Sequence, residues 1–260
     1  MTDLTWWQAA LLGLIQGLTE WIPVSSSGHL QLGRALLGLE ASTWYDLLLH
    51  VGTLAVVVWV YRRRILGLTV AAFGQASPER DFAWSLVLAS VPIALAGYFG
   101  KDLVEAAFTD TAFVAAALLV TAYMLWTTKG LDGRAPLGAS KAWTVGLWQA
   151  LALLPGVSRS GATIAGGLHA GLDRQTAADF AFLLAIPALT GATLFKALDV
   201  GDEALAIDGP MALGILISLV TGYVTLQWLR GVVARRGVHA FAPYCLVVGV
   251  AALVLAVVRG

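Results

Sequence analysis

Two short segments of the sequence combine reactive side chains with proline and glycine inside otherwise apolar surroundings. Residues 20–29 carry a carboxylate, hydroxyls and an imidazole, from Glu20, Ser25, Ser26, Ser27 and His29. Residues 155–163 carry a guanidinium and hydroxyls, from Ser158, Arg159, Ser160 and Thr163. A charged side chain at membrane depth costs roughly 2.5–3.5 kcal/mol, so it is seldom retained there without a purpose. These two segments, called the first and second clusters below, form the candidate site.

The second cluster has the chemistry of a phosphate-binding site. The guanidinium of Arg159 is a planar fork that matches phosphate oxygens, and backbone N–H groups at a helix N-terminus bind anions. Glycine, as at Gly156, lets the chain approach a ligand closely. We predict a phosphate clamp formed by Arg159 and the hydroxyls of Ser158, Ser160 and Thr163.

The first cluster supplies groups that could react. Its serines are hydroxyl donors or the nucleophile, His29 is a nucleophile or an acid–base group, and Glu20 is its orienter or base. The sequence leaves open whether Ser26 or His29 attacks. No residues have the spacing of zinc or iron ligands, and no cofactor is established, although Glu20 together with a phosphate could share a Mg²⁺ or Ca²⁺ ion.

Each of these residues also has a structural alternative. Serine and glycine permit close packing of membrane helices, and Glu20 with Arg159 could be a purely structural ion pair. Asp46 and Asp179 follow threonines at similar positions and fit helix capping or support of the clusters better than a place in the site.

The composition is that of a polytopic membrane protein. Hydrophobic residues make up 58% of the chain and charged residues only 12%, against about 25% charged in soluble domains. The formal net charge is zero, so no global field points to nucleic acid as a partner. Membrane lipids are the expected surroundings.

Six apolar stretches are long enough to predict transmembrane helices, at about residues 44–61, 82–100, 111–128, 176–198, 209–230 and 238–258. Two further apolar regions, residues 4–39 and 143–172, are interrupted by the two clusters. A continuous helix with such an interruption would leave backbone groups without partners in hydrocarbon. We therefore predict two re-entrant helical hairpins that turn at the clusters.

The distribution of basic residues predicts the orientation of these spans. With the first hairpin entering from outside, eleven of the 16 lysines and arginines fall on one side and four on the other. The side with fewer basic residues carries acidic loops at residues 102–110 and 199–208. The positive-inside rule makes the arginine-rich side cytoplasmic and places both termini outside.

An internal repeat relates the two halves of the chain. A shift of 133 residues pairs identical residues: Gln16 with Gln149, Ser25 with Ser158, Ser27 with Ser160, Gly28 with Gly161, Thr43 with Thr176 and Asp46 with Asp179. In the predicted topology the halves, at about residues 1–128 and 141–260 of a single membrane domain, have opposite orientations. Such inverted repeats place a ligand at the midplane where broken helices meet, so we predict that the two clusters form one site. The same architecture is found in transporters, which leaves a transporter or polyprenyl-phosphate flippase as the alternative function.

The two clusters also resemble the motifs of a known family. Residues 16–29 resemble the (E/Q)xxxE and SS(S/T)GH region of the undecaprenyl-diphosphate phosphatase, or bacitracin-resistance, family, and residues 155–163 fit its PGxSRSxxT signature. The likeness extends over essentially the whole chain. It implies hydrolysis of undecaprenyl diphosphate to undecaprenyl phosphate and inorganic phosphate, in the bacterial inner membrane, with a site open to the outer face. It also implies recycling of the lipid carrier for cell-wall synthesis and resistance to bacitracin.

The resemblance carries family roles over to six residues, Glu20, Ser26, His29, Ser158, Arg159 and Thr163. Together with the chemistry of the two clusters, it gives the expected site residues. The expected catalytic residues are Glu20, Ser26, His29 and Arg159. The expected substrate-binding residues are Gln16, Ser25, Ser27, Ser158, Ser160 and Thr163. Because Gln16 is a glutamine, a second acidic group at the first motif position cannot be essential here. The sequence leaves a homodimer open.

A second phosphatase family shares fragments of these motifs. The type-2 phosphatidic acid phosphatases also use Ser-Gly-His and Ser-Arg elements, but Ala165 stands where that family needs a histidine. His169 and Asp173 have a suitable mutual spacing but lie too far along the chain. We interpret this likeness as convergent chemistry or a distant relationship.

Overall fold

The computed structural model describes residues 4–39, 43–199 and 207–259, and every regular element in these ranges is helical. The helices are α1 (Trp6–Thr19), α2 (Ser26–Leu37), α3 (Thr43–Ala72), α4 (Pro78–Phe99), α5 (Lys101–Thr109), α6 (Thr111–Trp126), α7 (Ala139–Leu151), α8 (Arg159–His169), α9 (Arg174–Asp199), α10 (Gly209–Arg236) and α11 (Ala242–Arg259), with a 3₁₀ turn at Val238–Phe241. The predicted all-α class is confirmed. The predicted loop at residues 199–208 lies largely outside the described residues.

Within the described ranges, five segments are long and apolar enough to cross a membrane, and they correspond to five of the six predicted spans. They are Trp44–Ala72, Pro78–Phe99, Arg174–Phe195, Gly209–Arg236 and Val238–Val258. The remaining predicted span, residues 111–128, coincides with α6, which follows α5 at a bend of 102°. The chain is therefore a multi-pass membrane protein with five such segments, or six when the bent pair is counted as one.

Both interrupted regions consist of two short helices, as predicted from the clusters. Residues 20–25 separate α1 from α2, and residues 152–158 separate α7 from α8. These helices have 14, 12, 13 and 11 residues, whereas a span needs about 20. Pro23 and Pro155 lack an N–H to donate, and Gly156 has a φ of +96°, so a helix cannot continue through either cluster. That each pair re-enters on one membrane face stays a prediction.

The two interruptions share a local hydrogen-bond pattern. Ser25 Oγ accepts from the backbone N–H of Gly28 at 3.3 Å, and Ser158 Oγ accepts from that of Gly161 at 3.1 Å. Each of these capping serines also lies 3.2 Å from the hydroxyl of the serine two residues later. Serines matched by the 133-residue shift therefore have the same role, which is to cap the helix that follows each interruption. The inverted orientation of the two halves stays a prediction.

Packing on both sides of Glu20 holds the first cluster in place. α1 packs against α10 so closely that a Cβ at Gly17 would lie 2.7 Å from the carbonyl oxygen of Ser218. Immediately after α1, the Trp21 side chain is fully buried in the main apolar core, with its ring 6.1 Å from that of Phe182 on α9. Glu20, which lies between these two anchored positions, has little freedom to move.

Candidate active site

Glu20 is the centre of the candidate site, and both clusters converge on its carboxylate. It follows the last turn of α1, and the residue is only 6% exposed. Arg159 Nη2 donates to Oε1 at 2.5 Å, while Ser26 Oγ donates to Oε2 at 2.6 Å and Gln16 Nε2 donates to the same oxygen at 3.0 Å. The structure therefore brings together four predicted site residues, from α1, α2 and α8.

Arg159 has a hydrogen-bond donor to spare. The side chain is 12% exposed and lies at the first position of α8, where backbone N–H groups of the first turn add positive potential. Its Nη1 atom is buried without a hydrogen-bond partner among the described residues, whereas Nη2 is bound to Glu20. Leaving such a donor unsatisfied is costly unless a ligand completes it. This arrangement suits an anion that enters beside the ion pair.

The hydroxyls of the second cluster are buried inside their own turn. Ser158 Oγ caps α8, Ser160 Oγ donates to the carbonyl oxygen of Ile22 at 3.4 Å, and Thr163 Oγ1 donates to that of Arg159 at 2.8 Å. All three hydroxyl residues are at most 2% exposed. In this state they hold Arg159 in position and tie the second cluster to the first. Their predicted contact with substrate stays a prediction.

The backbones of the two turns approach each other at glycine. A Cβ at Gly28 would lie 3.4 Å from Gly156 Cα, and a Cβ at Gly156 would lie 2.7 Å from the Cβ of Ala117 on α6. Thr121, also on α6, accepts from the Ser158 N–H at 3.0 Å and donates to the Gly156 carbonyl at 2.9 Å. α6 therefore supports the second turn from behind.

His29 is held by partners other than the predicted one. We expected Glu20 to orient it, but Nδ1 lies 2.8 Å from the carbonyl oxygen of Ser25, and Nε2 lies 2.9 Å from the hydroxyl of Tyr244 on α11. A carbonyl can only accept, so Nδ1 carries the proton, and Nε2 of the neutral ring accepts from Tyr244. The two rings are nearly parallel, with an angle of 9° between their planes and centroids 5.6 Å apart. Tyr244 is a site residue that sequence reasoning missed.

His50 is a second residue that the sequence-based site did not include. It lies on α3, and its Nε2 is 3.6 Å from Glu20 Oε2. Its Nδ1 is 2.7 Å from the Asp46 carbonyl oxygen, which fixes the ring orientation. The signal that could have found it is the family resemblance, which extends beyond the two clusters over essentially the whole chain. Asp46 itself pairs with Arg34, in keeping with a supporting role.

The remaining hydroxyls differ in their surroundings. Ser26 contacts Glu20 directly, whereas Ser25 caps α2 and is 3% exposed, and Ser27 lies beside Ser25. Ser25 has a φ of +70°, a region that residues other than glycine seldom adopt and that is often retained at functional sites. Of the serines in the first cluster, Ser26 is thus the one joined to a carboxylate.

The described residues contain no group of three or more His, Cys, Asp or Glu side chains arranged to hold a metal ion. The Glu20 oxygens receive hydrogen bonds from Arg159, Ser26 and Gln16. Sharing of a Mg²⁺ or Ca²⁺ ion between Glu20 and a phosphate stays an expectation.

Comparisons with known proteins agree on one family. The family described as Bacitracin resistance protein BacA matches residues 9–251. The chain is 43% identical over 262 residues to an undecaprenyl-diphosphatase of Desulfosudis oleivorans, covering 93% of this chain and 95% of the relative. It is 39% and 40% identical to proteins of the same name from Korarchaeum cryptofilum and Alcanivorax borkumensis, each covering 95% of this chain and 98% of the relative.

The buried ion pair should show strong energetic coupling. Glu20→Gln alone leaves the Arg159 guanidinium buried without a counter-charge, so we expect a loss of about 3–5 kcal/mol in stability. The double variant Glu20→Gln/Arg159→Gln should lose clearly less than the sum of the single variants, by the apparent melting temperature in detergent. The matched control is Glu105→Gln, because Glu105 pairs with Lys101 at 3.8 Å on the surface and such pairs contribute little. Additive losses would contradict a coupled pair.

Proposed function

The chain belongs to the bacitracin resistance protein BacA family, and we propose that it hydrolyses undecaprenyl diphosphate to undecaprenyl phosphate and inorganic phosphate. The observation that carries this proposal is the carboxylate of Glu20 between a serine hydroxyl and an arginine with an unused donor. Phosphoryl transfer depends mainly on positioning and on stabilising negative charge. The reaction would recycle the lipid carrier for cell-wall synthesis and account for resistance to bacitracin.

Arg159 is the group that binds the terminal phosphate in this proposal. Its free Nη1 and the N-terminus of α8 offer donors to the phosphate oxygens, while the prenyl chain stays in lipid. As the phosphate arrives, it competes with Glu20 for the guanidinium. Glu20 is thereby released from its counter-ion at the moment when it must accept a proton.

Ser26 is the proposed nucleophile. Its Oγ, 2.6 Å from Glu20 Oε2, attacks the terminal phosphorus while Glu20 takes the hydroxyl proton. The bond from that phosphorus to the bridging oxygen breaks, and undecaprenyl phosphate leaves. Water then attacks the phosphoserine, which releases inorganic phosphate and restores the Ser26 hydroxyl with the proton held by Glu20.

His29 is the proposed acid for the leaving phosphate rather than the nucleophile. Both its ring nitrogens are engaged, by the Ser25 carbonyl and by Tyr244, so neither is poised for attack. Tyr244 fixes the orientation of the ring, whose Nδ1 carries one proton. A second proton, taken up from water at Nε2, is donated to the leaving phosphate, and Nε2 recovers a proton from the water that attacks the phosphoserine. Gln16 and His50, both at Glu20 Oε2, are the proposed positioning residues of the base.

We infer that the site opens to the outer face of the bacterial inner membrane. His50 marks the site on α3, and the arginines at residues 62–64 come about 18 Å further along the same helix. Basic residues favour the cytoplasmic side, so the site belongs toward the opposite face. The inverted repeat of residues 1–128 and 141–260 and its re-entrant hairpins are part of this proposal. A homodimer stays a prediction.

The transporter or flippase alternative has less support from the site. Broken helices that meet near the midplane suit transport as well as catalysis. Binding of a lipid phosphate, however, requires only donors such as Arg159, and it gives no role to the contact between Ser26 and Glu20. That contact favours the hydrolase.

Two adjacent serines allow a matched test of the nucleophile. We expect Ser26→Ala to lower phosphate release from undecaprenyl diphosphate roughly a thousandfold or more, because the attacking group is lost. Ser27→Ala should stay within about tenfold of the parent, since among the described residues the Ser27 hydroxyl is hydrogen-bonded to that of Ser25, and a lost neutral hydrogen bond costs about 1 kcal/mol. Assays of purified protein in detergent exclude net transport. Equal losses, or an active Ser26→Ala variant, would refute the assignment.

The Tyr244 hydroxyl gives a second test. Tyr244→Phe removes the hydrogen bond to His29 Nε2 but keeps the ring, so we expect kcat to fall about three- to tenfold, with little change in KM. The limb of the pH–rate profile that reports the titration of His29 should also shift, because His29 Nε2 has lost its hydrogen bond to Tyr244. Tyr123→Phe is the control, since Tyr123 is 71% exposed on α6. An unchanged kcat and profile in Tyr244→Phe would remove Tyr244 from the proposal.

A further inference from the structure

A cavity lined by both charged and apolar side chains lies away from Glu20, between α3, α4, α9 and α10. Its volume is about 690 Å³, within the range of small-molecule sites. The part of α3 that lines it begins about 15 Å along the helix from His50. The cavity therefore lies toward the arginine-rich end of the molecule and takes no part in the proposed hydrolysis.

Arg230 on α10 lines this cavity with an unsatisfied donor. Its Nε atom is buried without a hydrogen-bond partner among the described residues, and the nearest carboxylate oxygen, Asp179 Oδ1, is 3.9 Å away. Each carboxylate oxygen of Asp179 already accepts a shorter hydrogen bond: Tyr61 donates to Oδ1 at 2.6 Å and Gln175 donates to Oδ2 at 2.8 Å. A ligand oxygen in the cavity could accept a hydrogen bond from Arg230 Nε.

Two further arginines on α3 line the same cavity. Arg63 is exposed, and Arg64 lies 4.0 Å from Glu79 on α4, the long limit of an ion pair. Asp81, in the first turn of α4, completes the charged lining. Positive and negative groups are thus balanced, with two long ion pairs that a ligand could enter. A ligand carrying both charges matches this lining better than a simple anion does.

We propose that this cavity binds a phosphoethanolamine group, with the phosphate against Arg63 and Arg230 and the amine toward Glu79 and Asp81. Guanidinium forks suit phosphate oxygens, and carboxylates suit an ammonium. A phospholipid headgroup is the favoured source, because all four surrounding helices are candidate membrane spans and Phe82 adds an apolar wall. The prenyl diphosphate substrate has no amine and does not fit this description.

Native mass spectrometry of the purified protein tests the lipid source. With equal phosphatidylethanolamine and phosphatidylglycerol added in detergent, the parent should retain about fivefold more of the former. Arg63→Gln/Arg230→Gln should lower that retention about fivefold or more. Arg62→Gln is the control for the Arg63 position: it removes one positive charge from the adjacent residue, which donates to the Trp59 carbonyl, and it should bind as the parent does.

Soluble phosphoethanolamine distinguishes a lipid headgroup from the free molecule as the ligand of this cavity. If millimolar phosphoethanolamine raises the melting temperature of the parent but not of the double variant, while no lipid is retained, the cavity recognises the free group. Equal retention of both lipids, or equal loss in Arg62→Gln, would overturn the proposal, as would binding of neither lipid nor phosphoethanolamine. If the double variant does not fold, Arg63→Gln alone repeats the comparison, because the exposed Arg63 side chain is not needed for packing.

Discussion

The ion pair between Glu20 and Arg159 is the interaction on which the rest of the site depends. The two residues are 139 positions apart, and both lie in short helical regions of a membrane protein where an isolated charge would be expensive. Each therefore needs the other, and the end of α1 must meet the start of α8. The close packing of the surrounding turns, with Gly28 beside Gly156, follows from that requirement.

The same pairing leaves the site incompletely satisfied in a way that suits catalysis. Arg159 Nη1 and Gln16 Oε1 are buried without a hydrogen-bond partner in the part of the chain that the structure describes, and Ser25 adopts a positive φ. Each of these features lowers the stability of the folded chain, and a bound phosphate would compensate for part of the loss. Features of this kind concentrate at functional sites because stability alone would select against them.

The sequence predicts the helical class, the main spans, the breaks at both clusters and the approach of one cluster to the other, because long apolar runs and charges within them can be recognised in the sequence itself. It offers the Glu20–Arg159 ion pair only as a structural alternative, and it assigns Glu20 to His29 instead. It does not predict the Tyr244 contact, since Tyr244 lies 215 residues from His29 on an ordinary apolar helix with no motif around it. It also cannot tell whether Ser158 or Thr163 binds a ligand or its own helix, because a hydroxyl serves either purpose.

The central claim is that Glu20, paired with Arg159, activates Ser26 as the nucleophile. The chemical nature of the phosphorylated intermediate tests this claim most directly. The measurement is an acid quench of the enzyme during turnover of undecaprenyl diphosphate radiolabelled in its terminal phosphate, followed by peptide mapping. Attack by Ser26 predicts an acid-stable phosphoserine in the peptide that contains residues 25–27, absent from Ser26→Ala. An acid-labile label on His29, or turnover with no covalent label at all, would contradict it.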